Sequence, residues 1–103
     1  INVASINGVS PGEFQGIYSV TKAAVISMTK GFAKECAQFG IRCTALLPGL
    51  TDTKFASALV KNDAIRNLAL QRIPLKRVAE PREMAAPCST WLAKRPATPP
   101  AWR

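Results

Sequence analysis

Ser5, Tyr18 and Lys22 are the residues whose types and spacing are suited to acid–base chemistry. Tyr18 follows Ser5 by 13 positions and precedes Lys22 by four. The pattern from Ile17 onward is helical, so Tyr18 and Lys22 are expected on one helix face, one turn apart. An ammonium group beside a phenol favours the phenolate and lowers a pKa that starts near 10. A hydroxyl from a neighbouring strand could orient a substrate oxygen there, which predicts proton transfer at a carbonyl or an alcohol.

The Tyr-x-x-x-Lys pair alone is a weak signal, since an interfacial tyrosine followed by a solvated lysine is the ordinary alternative. Three further features favour a site. Ser5 lies near the end of an apolar run over residues 1–6, which is typical of a buried strand. Ala23 and Ala24 follow the lysine, as close packing of the helix requires. A second apolar strand and a Pro48-Gly49 turn come after the helix.

Taken together, residues 1–85 resemble the short-chain dehydrogenase/reductase family, and residues 41–49 look like its Ile-Arg-Val-Asn-x-x-x-Pro-Gly segment, with Cys43 and Thr44 in place of valine and asparagine. The resemblance implies that Ser5 hydrogen-bonds the reacting oxygen and that Tyr18 is the catalytic acid/base. Lys22 would tune the tyrosine. It also implies NAD or NADP as cofactor and hydride transfer to or from a secondary alcohol or ketone. The cofactor-binding residues that it implies are Tyr18, Lys22, Pro48, Gly49, Thr51 and Thr53.

The predicted fold class is α/β: a partial doubly wound, parallel-sheet (Rossmann-like) fold that comprises only the carboxyl-terminal half. Strands over 1–6 and 41–47 flank a helix from about Ile17 to Phe39, which Gly40 ends. This βαβ unit would be right-handed. Residues 54–72 are predicted to be helical in two pieces, with Asp63 as a possible N-cap, and in the family this segment is a mobile substrate lid. Its apolar character suggests a substrate other than a small charged acid. A last helix is expected to start at residues 80–85, with Pro81 in its first turn.

The long helix carries an apolar row at i, i+4 spacing. In the family this helix contributes to the subunit interface, which implies a homodimer or homotetramer. The alternative is that the row faces the protein's own sheet. The row consists of Ala24, Met28, Phe32 and Cys36.

Charge and cysteine content exclude several classes of function. The net charge is +8, but the 14 basic residues are scattered and have no interleaved aromatics, which argues against a nucleic-acid partner. Three cysteines without CxxC spacing, in a chain without histidine, support neither a zinc site nor a disulfide framework. Cys36 and Cys43 are therefore expected to be buried free thiols in a cytoplasmic protein. No apolar run is long enough for a membrane span, so no membrane partner is expected.

The sequence lacks the Gly-x-x-x-Gly-x-Gly loop that would bind a dinucleotide pyrophosphate, so we expect a carboxyl-terminal fragment. After residue 85 the composition changes, and residues 87–103 hold four of the 8 prolines and both tryptophans. Residues 86–103 can be translated back into DNA with permitted codons. When that DNA is read from its third base, it encodes ALLYLASEAASYTTGMA, which is close to the sequence of the family's last helix and strand.

This reading predicts a frameshift after about residue 86. Residues 1–85 would then be the catalytic segment and lid, and residues 86–103 an out-of-frame, disordered tail. An ordinary proline-rich disordered tail is the alternative. An inactive truncated product is accordingly a second hypothesis beside the oxidoreductase, and a basic nucleic-acid-binding module is a third.

Overall fold

The computed structural model describes residues 1–93. Strands β1 (Asn2–Val3) and β2 (Ala45–Leu46) form a two-stranded parallel sheet, with Asn2 opposite Ala45 and Val3 opposite Leu46. The α/β class and the parallel pairing are thus confirmed, whereas the strands are shorter than the predicted ranges 1–6 and 41–47.

Backbone hydrogen bonds continue the pairing beyond the two strands. The N–H of Ala4 donates to the Leu46 carbonyl at 2.8 Å, and the N–H of Ile6 donates to the Pro48 carbonyl at 3.0 Å. The chain after β1 therefore stays beside the chain after β2 up to the Pro48-Gly49 turn. This pairing fixes the carboxyl edge of the sheet, where the predicted site residues lie.

Helix α1 (Gly16–Cys36) connects the two strands and continues as a 3-10 turn over Ala37–Phe39. Gly40 follows with φ of +70°, a left-handed conformation that favours glycine, and ends the helical segment. The predicted strand–helix–strand order and the helix end at Gly40 are confirmed.

The fully buried positions of helix α1 are occupied by polar residues. Ser19 and Thr29 are its buried residues, each 4% exposed. The Asn2 amide donates to the Thr29 hydroxyl at 2.9 Å, and that hydroxyl donates to the Val25 carbonyl at 2.7 Å. Both polar groups are hydrogen-bonded, so this contact connects β1 to α1 and offsets the cost of removing the two groups from water.

The apolar row of α1 points away from the sheet at its centre. Met28 and Phe32 are 46% and 45% exposed. The alternative that the row faces the protein's own sheet is therefore wrong for these two residues. On the side that faces the loop after β1, the apolar contact comes instead from Ile26, whose side chain lies against Gly8.

The cysteines are free but not buried as predicted. Cys36, Cys43 and Cys88 all have intermediate exposure. The pKa of the Cys36 thiol is raised, mainly by partial desolvation and to a smaller extent by the electrostatic effect of the neighbouring Cys43. The thiol form is thereby favoured over the thiolate.

Gly8 sets the distance between α1 and the loop after β1. A Cβ atom at this position would lie 2.8 Å from the Lys22 carbonyl carbon and 2.9 Å from the Ala23 nitrogen. These separations are shorter than van der Waals contact, so only glycine permits the approach. The same contact holds the backbone of Lys22 beside the end of β1.

The predicted lid consists of α2 (Ser57–Lys61) and α3 (Asp63–Arg72), which pack on one another. The break between two helical pieces is confirmed, but the predicted N-cap is displaced by one residue. Asn62 caps α3, because its side-chain oxygen accepts from the Ile65 N–H at 3.1 Å. Asp63 lies in the first turn instead, where its negative charge interacts favourably with the positive end of the helix dipole.

A 3-10 turn over Pro81–Met84 leads into α4 (Ala85–Leu92), and Pro81 is in the first turn as predicted. The helix includes residues 86–92, so the expected disorder is wrong for that stretch. The frameshift itself stays a prediction, and residues 94–103 lie outside the described residues. None of the helices in residues 1–93 has the length and apolar character needed to cross a membrane.

We expect Gly8→Ala to lower the free energy of unfolding by about 1–3 kcal/mol, because the added methyl group overpacks the contact with α1. Gly31 is the matched control, since a Cβ there meets nothing within 4 Å and the residue is in the middle of α1. Gly31→Ala should raise stability by about 0.5–1 kcal/mol. Urea unfolding followed by circular dichroism measures both, and equal effects of the two substitutions would contradict the role assigned to Gly8.

Candidate active site

Tyr18 and Lys22 lie on successive turns of α1. The Lys22 Nζ is 5.6 Å from the centroid of the Tyr18 ring and donates to the Val3 carbonyl at 3.2 Å. An ammonium has three N–H donors, so this bond leaves two for other acceptors. Lys22 thus connects the phenol on α1 with the end of β1.

Ser5 lies two residues after β1 and is 8% exposed. Its Oγ accepts from the Asn7 N–H at 3.2 Å and so caps the 3-10 turn Ile6–Gly8. An oxygen that accepts from an N–H still carries its own hydrogen, which can be donated to a substrate oxygen. Ser5 thus lies at the carboxyl edge of the sheet, two residues beyond the Val3 carbonyl that accepts from Lys22.

The loop between β1 and α1 is held by polar contacts that the sequence reasoning missed. The Asn7 amide donates to the Gln15 side-chain oxygen, and the Gln15 carbonyl accepts from the Ser19 hydroxyl at 2.7 Å. The Gln15 side chain is thus engaged with Asn7. Phe14, the residue before it, is fully exposed and has φ of +58°, an unfavourable conformation for an aromatic residue. The Asn7-Gly8 dipeptide after an apolar strand was the signal for this turn.

The Pro48-Gly49 turn lies next to the β1 loop through the Ile6–Pro48 hydrogen bond. A Cβ at Gly49 would meet nothing within 4 Å, so this part of the turn borders open space. Thr51 is 8% exposed and its hydroxyl donates to the Gly49 carbonyl at 3.1 Å. Thr53 is exposed, and its hydroxyl oxygen accepts from the Ala56 N–H at 3.2 Å just before α2.

The residues after this turn are anchored by Ala79, a contact that sequence reasoning did not find. Thr51 and Ala79 form a parallel bridge. The Asp52 N–H donates to the Ala79 carbonyl at 2.9 Å, and the Ala79 N–H donates to the Leu50 carbonyl at 3.0 Å. The predicted cofactor turn is therefore tied to the segment before α4.

Arg77 and Glu83 brace this segment on both sides of Ala79. The Arg77 guanidinium donates to the two Glu83 carboxylate oxygens at 2.8 and 2.5 Å, and the Glu80 N–H donates to Glu83 at 2.7 Å. The pKa of Glu83 is lowered to about 2, mainly by the hydrogen bonds from Arg77 and to a smaller extent by the hydrogen bond from the Glu80 N–H.

Phe55, predicted only as part of the apolar face of the lid, lies against the phenol. The Phe55 and Tyr18 ring centroids are 5.9 Å apart and their planes make an angle of 33°. Phe55 is otherwise 83% exposed. An apolar side chain thus borders the group predicted to transfer a proton.

Comparison with known proteins shows the family of the chain. The family model described as enoyl-(acyl carrier protein) reductase matches residues 1–98. The 3-oxoacyl-(acyl-carrier-protein) reductase of Thermotoga maritima is 41% identical over 85 residues, which cover 82% of this chain and 34% of that protein. The chain belongs to the short-chain dehydrogenase/reductase family. It spans about a third of the length of such relatives.

Solved structures agree with this assignment. A protein from Thermus thermophilus superimposes with a TM-score of 0.78 at 30% identity, covering 85% of this chain and 38% of that one. A gluconate 5-dehydrogenase from Beutenbergia cavernae, described as putative, NAD(P)-dependent and containing bound NADP, gives a TM-score of 0.73 at 33% identity. That superposition covers 84% of this chain and 34% of the other. The partial Rossmann-like fold predicted from sequence is confirmed.

The pH dependence of unfolding should reveal the Arg77–Glu83 contact. Because folding lowers the pKa of Glu83, its stabilising contribution is complete above its ordinary pKa of about 4.3 and is lost as the pH falls towards 2. We therefore expect the stability difference between the unmodified chain and Glu83→Gln to shrink between about pH 5 and pH 2.

The control is Glu35→Gln on α1, since Glu35 forms no ion pair with another residue of the range 1–93. Denaturant titrations across this pH range measure both differences. A difference for Glu83→Gln that stays constant with pH would contradict the assigned contact.

Proposed function

We propose that this chain provides the acid–base part of an NAD(P)-dependent oxidoreductase that interconverts a secondary alcohol and a ketone. The observation that carries the proposal is the position of Lys22. Its ammonium lies 5.6 Å from the Tyr18 ring and is hydrogen-bonded to the carbonyl of Val3, two residues before Ser5. One residue thus links the acid/base to the strand that carries the hydroxyl.

Tyr18 donates a proton to the carbonyl oxygen during reduction and removes it from the alcohol during oxidation. The Ser5 hydroxyl donates a hydrogen bond to the same oxygen and orients it. The Lys22 ammonium favours the negative charge that develops on the phenol oxygen when the proton leaves. Because Ser5 is buried and Lys22 is bonded to the backbone, both groups are held in place before the substrate arrives.

A nicotinamide cofactor, NAD or NADP, supplies or accepts the hydride when it is bound. The donor set of the chain fits the nicotinamide half of such a molecule. Lys22 has two free N–H donors for ribose hydroxyls beside Tyr18, and the Pro48-Gly49 turn has an open side at Gly49. Thr51 and Thr53 complete the turn that we assign to the carboxamide.

The substrate is a small molecule whose carbon skeleton lies beside Phe55. Since the exposed ring of Phe55 borders Tyr18, groups attached to the reacting carbon meet an apolar surface. This favours an uncharged alcohol or ketone over a small charged acid. The outward apolar row of α1, with Met28 and Phe32, suits a homodimer or homotetramer.

The alternative is that the 103-residue polypeptide itself has no activity. It is favoured by one observation: within the described residues both edges of the two-stranded sheet lack a further strand. Calorimetric titration of the chain with NADPH separates the two possibilities for this polypeptide. A saturating heat of binding would contradict the view that the polypeptide is inactive because it cannot bind the cofactor.

The residue roles are tested in a chimera in which the matched 85-residue segment of the Thermotoga maritima reductase is replaced by the corresponding residues of this chain. Tyr18→Phe removes the proton donor but keeps the ring, so kcat should fall by about 10²- to 10⁴-fold. Ser5→Ala and Lys22→Ala should also lower kcat, because each removes a group that acts on the reacting oxygen or on the phenol.

The matched control is Lys30→Ala, which removes an exposed lysine from the same helix two turns further on. Its kcat should equal that of the parent chimera. Retention of more than about half of kcat in Tyr18→Phe would exclude Tyr18 as the acid/base.

A further inference from the structure

The lid is tied to the acid–base site at both of its ends. At its start, the Phe55 ring lies 5.9 Å from the Tyr18 ring. At its end, Arg72, the last residue of α3, donates to the Glu13 carboxylate at 2.7 Å. Glu13 belongs to the loop that leads into α1. The segment 55–72 therefore forms a closed strap across the amino-terminal end of the helix that carries Tyr18.

Within residues 1–93, no other helix or strand is in extensive contact with the two helices of this strap. Helices α2 and α3 make their main contacts with one another. The Glu13 and Arg72 side chains are each 62% exposed, and Phe55 is 83% exposed. Segments with few buried apolar contacts open locally at low free energy. The position of the strap is therefore sensitive to the Glu13–Arg72 ion pair, although an exposed pair contributes little free energy.

We propose that Glu13 and Arg72 are positioning residues that hold Phe55 against Tyr18, so that an exposed ion pair sets how much of the time the lid is closed over the phenol. The proposal rests on the proposed function only in that Tyr18 is the acid/base. An exposed ion pair of this kind shifts a closed-to-open ratio by about two- to fivefold and is screened by salt. Closure of the lid consequently depends on ionic strength.

The state of this ion pair would determine whether the substrate meets an apolar surface or water beside Tyr18. With the pair formed, the Phe55 ring covers one side of the phenol and presents an apolar surface to the groups on the reacting carbon. With the pair broken, this side of Tyr18 is open to water. Glu13 and Arg72 would thus affect substrate preference without touching the substrate.

Tyr18 is the only tyrosine of the chain, so the 103-residue protein made with ring-¹³C-labelled tyrosine reports on this one site by NMR. The neighbouring Phe55 ring shifts the Tyr18 ring signal, and Phe55→Leu defines its position without that contact. We expect Arg72→Gln to move the signal towards the Phe55→Leu position. Raising the salt from about 20 to about 500 mM should move the signal of the unmodified chain in the same direction, but not that of Arg72→Gln.

Two variants show that charge pairing, rather than helix integrity, is responsible. Exchanging the charges, Glu13→Arg with Arg72→Glu, should restore the signal of the unmodified chain together with its salt dependence. Arg66→Gln, on the exposed side of α3, should leave both unchanged. The salt titration needs no substitution, so the test does not depend on any variant being folded.

A Tyr18 signal that is the same at both salt concentrations, or the same in Arg72→Gln as in the unmodified chain while Phe55→Leu moves it, overturns the proposal. The measurement requires neither cofactor nor turnover. Its failure would therefore leave the kinetic test of Tyr18 untouched, and a failed kinetic test would leave the ion pair in place.

Discussion

The close approach of Gly8 to the backbone of α1 is the constraint on which the site depends. A glycine there lets the loop after β1 lie against the backbone at Lys22 and Ala23. At that distance the Lys22 side chain reaches the Val3 carbonyl, and Tyr18, one turn earlier, lies at the same edge of the sheet. The position of the ammonium is thus set by backbone packing rather than by any contact with the phenol itself.

The parts of the fold that were predicted well from the sequence are those determined by residues close together in the chain. Gly40 ends the helical segment because few other residues adopt a positive φ, and the break in the lid follows from a capping residue within one position of the predicted one. The order of strand, helix and strand follows from apolar runs on either side of a helical pattern. The spacing of Tyr18 and Lys22 likewise determines their proximity once α1 forms, whereas their catalytic roles are a matter for the kinetic test.

The parts that failed depend on partners distant in sequence. Ser19 and Thr29 are the buried residues of α1, although the helical pattern of apolar residues indicated an apolar row elsewhere on the helix. Asn2 and Thr29 are 27 residues apart, and Glu13 and Arg72 are 59 apart. No local pattern links such pairs. The disorder predicted for residues 86–92 relied on proline content, yet Pro87 lies in the first turn of α4, where proline is tolerated.

The backbone around the end of β1 and the Pro48-Gly49 turn is held by contacts of a different kind from those that hold the lid. Ser5, Thr29 and Thr51 are buried and hydrogen-bonded, and Ala4 is the buried apolar residue of the described chain. Bonds of this kind fix groups in one geometry, since breaking any of them leaves a buried polar atom unsatisfied. The lid instead depends on exposed contacts, which exchange with water at low cost. Proton transfer requires a fixed arrangement of donor and acceptor, whereas substrate entry requires a surface that can move. In the proposed function, the buried hydrogen bonds of Ser5 and Thr51 would serve the first requirement and the exposed contacts of the lid would serve the second.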